Sequence, residues 1–153
     1  MSAVPSLQYR FQPMMETSLS EVVAIEDAIY EFPWTLGNFR DSLKAGYSCW
    51  EYRADRDLIG YAIVMFGVDE AHLLNLSIAP NAQGKGFGGR FLVHLIQVTR
   101  SHAADRMILE VRPSNVAGRA LYASFGFESI GTRRGYYPAR GGREDAVVLS
   151  LPL

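Results

Sequence analysis

Apolar residues recur along this chain with two spacings, and each change of spacing predicts a change of element. Residues 7–14 read as a strand, and Ser18-Leu19-Ser20-Glu21 resembles a capping box that opens a helix running to Ile29. Pro33 breaks that helix, and a second spans 34–44 with Gly46 as its stop signal. Residues 47–53 and 58–68 are strand-like runs about Ala54-Asp55-Arg56-Asp57, the pattern of a hairpin, and 73–78 is a further strand. Then the period lengthens: Phe87, Phe91, Leu92, Leu95, Ile96 and Thr99 recur every three or four residues, as in a helix with one buried face. A strand at 106–111, a short helix at 115–124 and strands at 128–136 and 144–151 complete the chain. The order β-α-α-β-β-β-α-β-α-β-β predicts an α/β domain with a mixed sheet.

Composition narrows the class. With 153 residues and 48% apolar content the chain suits one domain, 1–153, with a substantial core. A net charge of −1 and the lack of a long basic stretch argue against nucleic acid as the primary partner. The single cysteine, Cys49, has no partner for an internal disulfide and reads as a small buried hydrophobe. The N-terminus lacks the basic start and apolar run of a signal peptide, and no window reaches the roughly 18 apolar residues of a membrane span, so a cytoplasmic protein without a membrane partner is expected. His72, His94 and His102 have no metal-ligand spacing with cysteine or carboxylate; they read as strand and helix surface residues, and no metal is expected.

The segment Gln83-Gly84-Lys85-Gly86-Phe87-Gly88 lies between the strand at 73–78 and the long helix, where glycines let a ligand approach the backbone and unpaired helix N–H groups favour an anion. A P-loop is excluded because Lys85 is followed by Gly86 rather than by serine or threonine. Gly84, Gly86 and Gly89 satisfy a dinucleotide fingerprint, with Glu110 about where a ribose-binding acid would lie, but too little chain follows Glu110 for a second mononucleotide half. Gln83, Gly86 and Gly88 also fit the acyl-coenzyme A loop Gln/Arg-x-x-Gly-x-Gly/Ala.

On that loop, on Leu109-Glu110-Val111-Arg112-Pro113-Ser114-Asn115 and on Ala120-Leu121-Tyr122-Ala123-Ser124-Phe125-Gly126-Phe127, the chain resembles the GNAT acetyltransferase superfamily. Arg133-Arg134-Gly135-Tyr136-Tyr137-Pro138, Gly142-Arg143-Glu144-Asp145-Ala146 and Phe32-Pro33-Trp34 are similar to its RimI-like branch, the protein N-terminal alanine acetyltransferases. The resemblance spans most of the chain. It implies the GNAT fold, a mixed, mostly antiparallel sheet flanked by helices and splayed at its central strands, with acetyl-CoA as co-substrate. It places the diphosphate on the amides of Gln83, Gly84, Lys85, Gly86, Phe87 and Gly88, the pantetheine arm along Leu76, Ser77 and Ile78 like an added strand, and Asn115 beside that arm. It makes Glu110 the general base, directly or through water, and Tyr122 the acid that protonates the departing sulfur. The implied acceptor is a protein N-terminus, with the alanine of small-subunit ribosomal protein eighteen foremost, lined by Phe32 and Trp34 on one side and by Tyr136 and Tyr137 on the other.

Chemistry agrees with these roles. Aminolysis of a thioester needs a neutral amine and a proton for the thiolate. An α-amine with a pKa of about 7.7–8.0 is far easier to neutralise than a lysine near 10.4, and a phenol near 10 can protonate a thiolate. Position alone leaves plainer readings open: Glu110 as a solvated charge or a partner of Arg112, Tyr122 as a core aromatic, and both aromatic clusters as structural. Two other functions share the fold, a small-molecule amine acetyltransferase and a non-catalytic acyl-CoA-binding module. Pro113, Gly118 and Gly135 depart from the family pattern and bear on the breadth of the acceptor groove.

Overall fold

A computed structural model describes residues 6–153; residues 1–5 of the expected domain lie outside the described part. The elements are β1 (Tyr9–Pro13), α1 (Leu19–Ile29), α2 (Leu36–Lys44), β2 (Ser48–Ala54), β3 (Asp57–Phe66), β4 (Glu70–Ile78), α3 (Phe87–Ser101), β5 (Arg106–Val111), α4 (Val116–Ser124), β6 (Glu128–Ala139) and β7 (Gly142–Pro152). The strands form one seven-stranded sheet in the order β1-β2-β3-β4-β5-β7-β6. Neighbours are antiparallel except β4 and β5, which α3 joins as a crossover.

Alternating side chains put two cores on the two faces of the sheet. Leu19 and Val22 of α1 and Phe39 of α2 pack with Leu58, Tyr61 and Ile63 of β3 on one face. On the other, Phe91, Leu92, Leu95 and Ile96 of α3 meet Ala62 and Val64 of β3, Leu73 of β4 and Leu109 of β5. The spacing of apolar residues in α3 is therefore the imprint of that face, and truncating a fully buried leucine such as Leu95 to alanine would cost ~3 kcal/mol. No helix among the described residues is long and apolar enough to cross a membrane.

Two helix starts differ from expectation, each for a local reason. Ser18 precedes α1 but makes no capping bond, since its hydroxyl accepts from Arg53 Nη2 at 3.2 Å. A capping box forms instead at α2, where Thr35 Oγ1 accepts from the Asn38 amide at 3.1 Å and Asn38 Oδ1 accepts from the Thr35 amide at 2.9 Å. That box starts α2 at Leu36, two residues later than the sequence suggested.

Candidate active site at the splayed strands

The site originates in a failure of pairing. β4 and β5 are in register only from Glu70 to His72 against Arg106 to Ile108, so the rest of β4 has no partner on that edge. Within β4, Leu74 is an extra residue between the Asn75 and Leu73 pairings with β3. The bulge reverses the facing of the strand beyond it, sending Leu76 and Ile78 to the α3 core and Asn75 and Ser77 toward α1. Ser77 is buried and its hydroxyl is engaged with Tyr30 and Asn75. Leu76, Ser77 and Ile78 therefore offer a ligand their backbone rather than their side chains.

At the end of that edge the glycine loop turns into α3. Gly84 and Gly86 adopt φ values of +75° and +86°, in the left-handed region, and a Cβ on either would meet nothing within 4 Å. Arg90 is the first residue of α3 to return its N–H, to the Gly86 carbonyl at 3.2 Å, and the amides of residues 84–89 have no hydrogen-bond partner among the described residues. This is an open nest of donors at the positive end of a 15-residue helix. The neighbouring side chains shape it. Gln83 Nε2 donates to the Ile78 carbonyl at 2.9 Å, Lys85 Nζ to the Asn81 carbonyl at 3.2 Å, and the Phe87 ring packs on Tyr9 and Tyr52.

Across the splay, Glu110 of β5 has a side chain only 7% exposed. His72 Nε2 donates to its Oε2. Its Oε1 is buried without a hydrogen-bond partner, the nearest cation being Arg133 Nε at 3.5 Å. A pairing of Glu110 with Arg112 does not occur: Arg112 Nη1 reaches Glu144 at 3.1 Å and the Pro138 carbonyl at 2.9 Å. Tyr122 of α4 is buried. Burial first, then the neighbouring phenols of Tyr30 and Tyr137, push its hydroxyl well above its ordinary value, so it stays protonated. Tyr137 is pushed up as well, by burial and then by the charge of Glu110, which makes it the neighbour common to the carboxylate and the phenol.

A further cluster of aromatic and charged side chains lies between the α1–α2 connection and the β6–β7 hairpin. The Arg112 guanidinium sits over Tyr137 at 4.3 Å and near Phe32 at 5.7 Å, and Tyr136 meets Tyr137 edge-on at 4.9 Å. A cleft of about 220 Å³ there is lined by Tyr30, Phe32, Arg112 and Glu144 among others. Arg140 of the hairpin tip closes one side on Glu31 at 3.2 Å. Trp34 instead turns inward onto Phe39, and its amide donates to Glu26 Oε2 at 2.9 Å. Asn115 caps α4, its Oδ1 accepting from the Gly118 amide at 2.9 Å. Gly118 permits this cap, since a Cβ there would lie 2.6 Å from Asn115 Nδ2. Gly135, at φ +57°, sits in the irregular part of β6 between Arg133 and Tyr137, and neither Tyr136 nor Tyr137 lines the cleft.

Sequence reasoning missed three residues at or near the site. His72 is not a plain surface residue but the donor to Glu110, and Tyr30 is the hydroxyl that meets Ser77 at 2.6 Å. Glu26, 2% exposed, accepts from Trp34, from Tyr61 at 2.7 Å and from Asn75 at 3.2 Å, tying the Trp34 loop to β3 and β4. His94 is likewise not a surface residue, being stacked on Phe11 at 4.2 Å and edge-on to Trp50, with burial pushing its pKa down. No cluster of three or more histidine, cysteine, aspartate or glutamate residues suited to a metal occurs among the described residues. The larger groove, about 390 Å³ between α4 and the β6–β7 strands, contains none of the expected site residues.

The family model for the GNAT acetyltransferases matches residues 13–127. Ribosomal protein bS18-alanine N-acetyltransferase of Escherichia coli K12 is 36% identical over 137 residues, covering 90% of this chain and 93% of that protein. The enzyme of the same name from Haemophilus influenzae is 38% identical over 130 residues, covering 84% and 88%. The crystal structure of the ribosomal-protein-S18-alanine N-acetyltransferase from Escherichia coli superimposes with a TM-score of 0.88 at 34% identity, covering 95% of this chain and 94% of that one.

Proposed function

The chain belongs to the GNAT acetyltransferase family, and from that membership we propose that it moves an acetyl group from acetyl-CoA to the α-amino group of the N-terminal alanine of ribosomal protein bS18, in a ternary complex. The observation that carries this reading is the buried, unpartnered Oε1 of Glu110 beside strands that part at His72. A proton acceptor is held ready there, opposite an anion-binding nest.

Bound acetyl-CoA supplies an activated acyl carbon. The free amides of residues 84–89 hold its diphosphate, and the β4 edge at Leu76, Ser77 and Ile78, which β5 leaves open, aligns its arm as an extra strand would. Phe32, Tyr136 and Tyr137 flank the incoming N-terminus; Trp34 acts through its backbone, by fixing the loop on Glu26. Glu110 Oε1 takes a proton from the amine, directly or through a water, as the new N–C bond forms. Tyr122, kept protonated by burial, gives its proton to the sulfur as the C–S bond breaks. Asn115 stabilises the turn that carries α4 and Tyr122. An α-amine, roughly half neutral near its pKa of about 7.7–8.0, suits one carboxylate better than a lysine near 10.4.

Incubation with acetyl-CoA and a panel of an alanine-led bS18 peptide, an internal-lysine peptide and spermidine tests the assignment by mass spectrometry. The peptide N-terminus should gain one acetyl group and dominate the panel. Preference for spermidine would replace the acceptor assignment, and tight cofactor binding with no turnover on any acceptor would replace the enzymatic one.

A further inference from the structure

We infer that His72 is a positioning residue for acetyl transfer, which rests on the reading of Glu110 as the base: its Nε2–H fixes one oxygen of Glu110 so that the other stays turned toward the acceptor. The two side chains come together because β4 and β5 pair over their first residues alone. His72 stands opposite Ile108, and Glu110 lies two residues further along β5 on the same face. The pair therefore sits where the strands begin to part.

An ionised carboxylate only accepts, so the ring nitrogen facing Oε2 must carry the proton. This is the only hydrogen bond that Glu110's carboxylate receives among the described residues. Its other neighbour, Arg133 of β6, is 55% exposed and stops 3.5 Å from Oε1, too far for a good hydrogen bond. Tyr137 of β6, with Arg112 stacked on it, also faces the carboxylate, and Tyr136 packs against Arg133. Without His72, nothing opposes rotation of the carboxylate onto the Arg133 guanidinium, where a two-point ion pair would occupy both oxygens. His72 is thus what keeps Oε1 available.

The test uses the full chain with acetyl-CoA and the alanine-led peptide, comparing His72→Ala, His72→Gln, Glu110→Gln and the double variant His72→Ala/Glu110→Gln. His72→Ala should lower kcat ~10-fold with KM for acetyl-CoA within about twofold. His72→Gln, which keeps an N–H of similar reach, should recover most of the neutral-pH rate, and His72→Ala should cost nothing further once Glu110 is glutamine. A kcat unchanged in both His72 variants, beside a large loss in Glu110→Gln, would overturn the inference and leave the base assignment standing. Equal losses from His72→Ala in both backgrounds would overturn it too. Full turnover by Glu110→Gln would instead remove the reading of Glu110 itself. If His72→Ala does not fold, as judged by circular dichroism, the kcat of His72→Gln against that of His72→Leu decides.

Discussion

Glu26 and Glu110 are both withdrawn from water, on strands and helices that meet at the same opening, yet their oxygens are used differently. Glu26 receives donors on both oxygens, from the Trp34 amide, the Tyr61 hydroxyl and the Asn75 amide group. Glu110 receives one, from His72, and keeps Oε1 bare. A buried carboxylate saturated with donors is fixed in charge and place, so it holds structure. One left short of a donor carries a standing desolvation cost that an incoming N–H or water relieves, so it serves chemistry. Glu51 belongs with Glu26: Arg53 at 2.7 Å, Gln12 at 3.2 Å and the Met15 amide at 2.9 Å surround it.

The contrast can be broken most forcefully at Glu110. Glu110→Gln should reduce kcat for peptide acetylation ~100-fold or more while leaving the melting temperature and coenzyme A affinity nearly unchanged, by steady-state kinetics, thermal melts and calorimetry. Glu26→Ala should do the reverse, stranding three donors and lowering stability by about 3 kcal/mol in urea titrations, with activity lost through KM for the peptide as the Trp34 loop loosens. Gly86→Val comes next. A branched side chain at φ +86° costs about 1–2 kcal/mol and obstructs the diphosphate nest, so KM for acetyl-CoA should rise ~10-fold with the Glu110 chemistry intact.

The smallest effect concerns Glu51 in acid. Burial works to raise its pKa, but the Met15 amide, the Ser18 hydroxyl and Arg53 together hold it below the ordinary 4.5. A lowered folded-state value means the stabilisation is complete above about pH 4.5 and fades as pH falls through the folded value. Unfolding measured from pH 7 downward should show a loss of stability confined to that acid range, and Glu51→Gln should flatten it.

Much of the fold was legible because the faces of the sheet impose their period on the chain. Phe91, Leu92, Leu95 and Ile96 report the α3 core, and the Asp55 turn reports the β2–β3 hairpin. The start of β4 was not, since Glu70 and His72 are polar and break the apolar run, although His72 pairs with Met65 of β3 as well as with Ile108 of β5. For the same reason His72 was read as surface. The signal that could have found it is alternation: counted back from the apolar run, His72 falls in strand register, on the face shared with Ile108 and Glu110. Glycine and motif spacing located the loop, whereas the partners of Glu110 could not be had from spacing. Arg112, its neighbour in sequence, is drawn away by Glu144 and Tyr137, and the three-dimensional neighbours come from β4 and β6.

A crystal structure with bound acetyl-CoA puts the central claim to its most direct test. The account predicts the diphosphate on the amides of residues 84–89, the arm along Leu76 to Ile78, and the thioester between Glu110 Oε1 and the Tyr122 hydroxyl. Density for the cofactor in the α4 groove, or a thioester out of reach of both side chains, would contradict it.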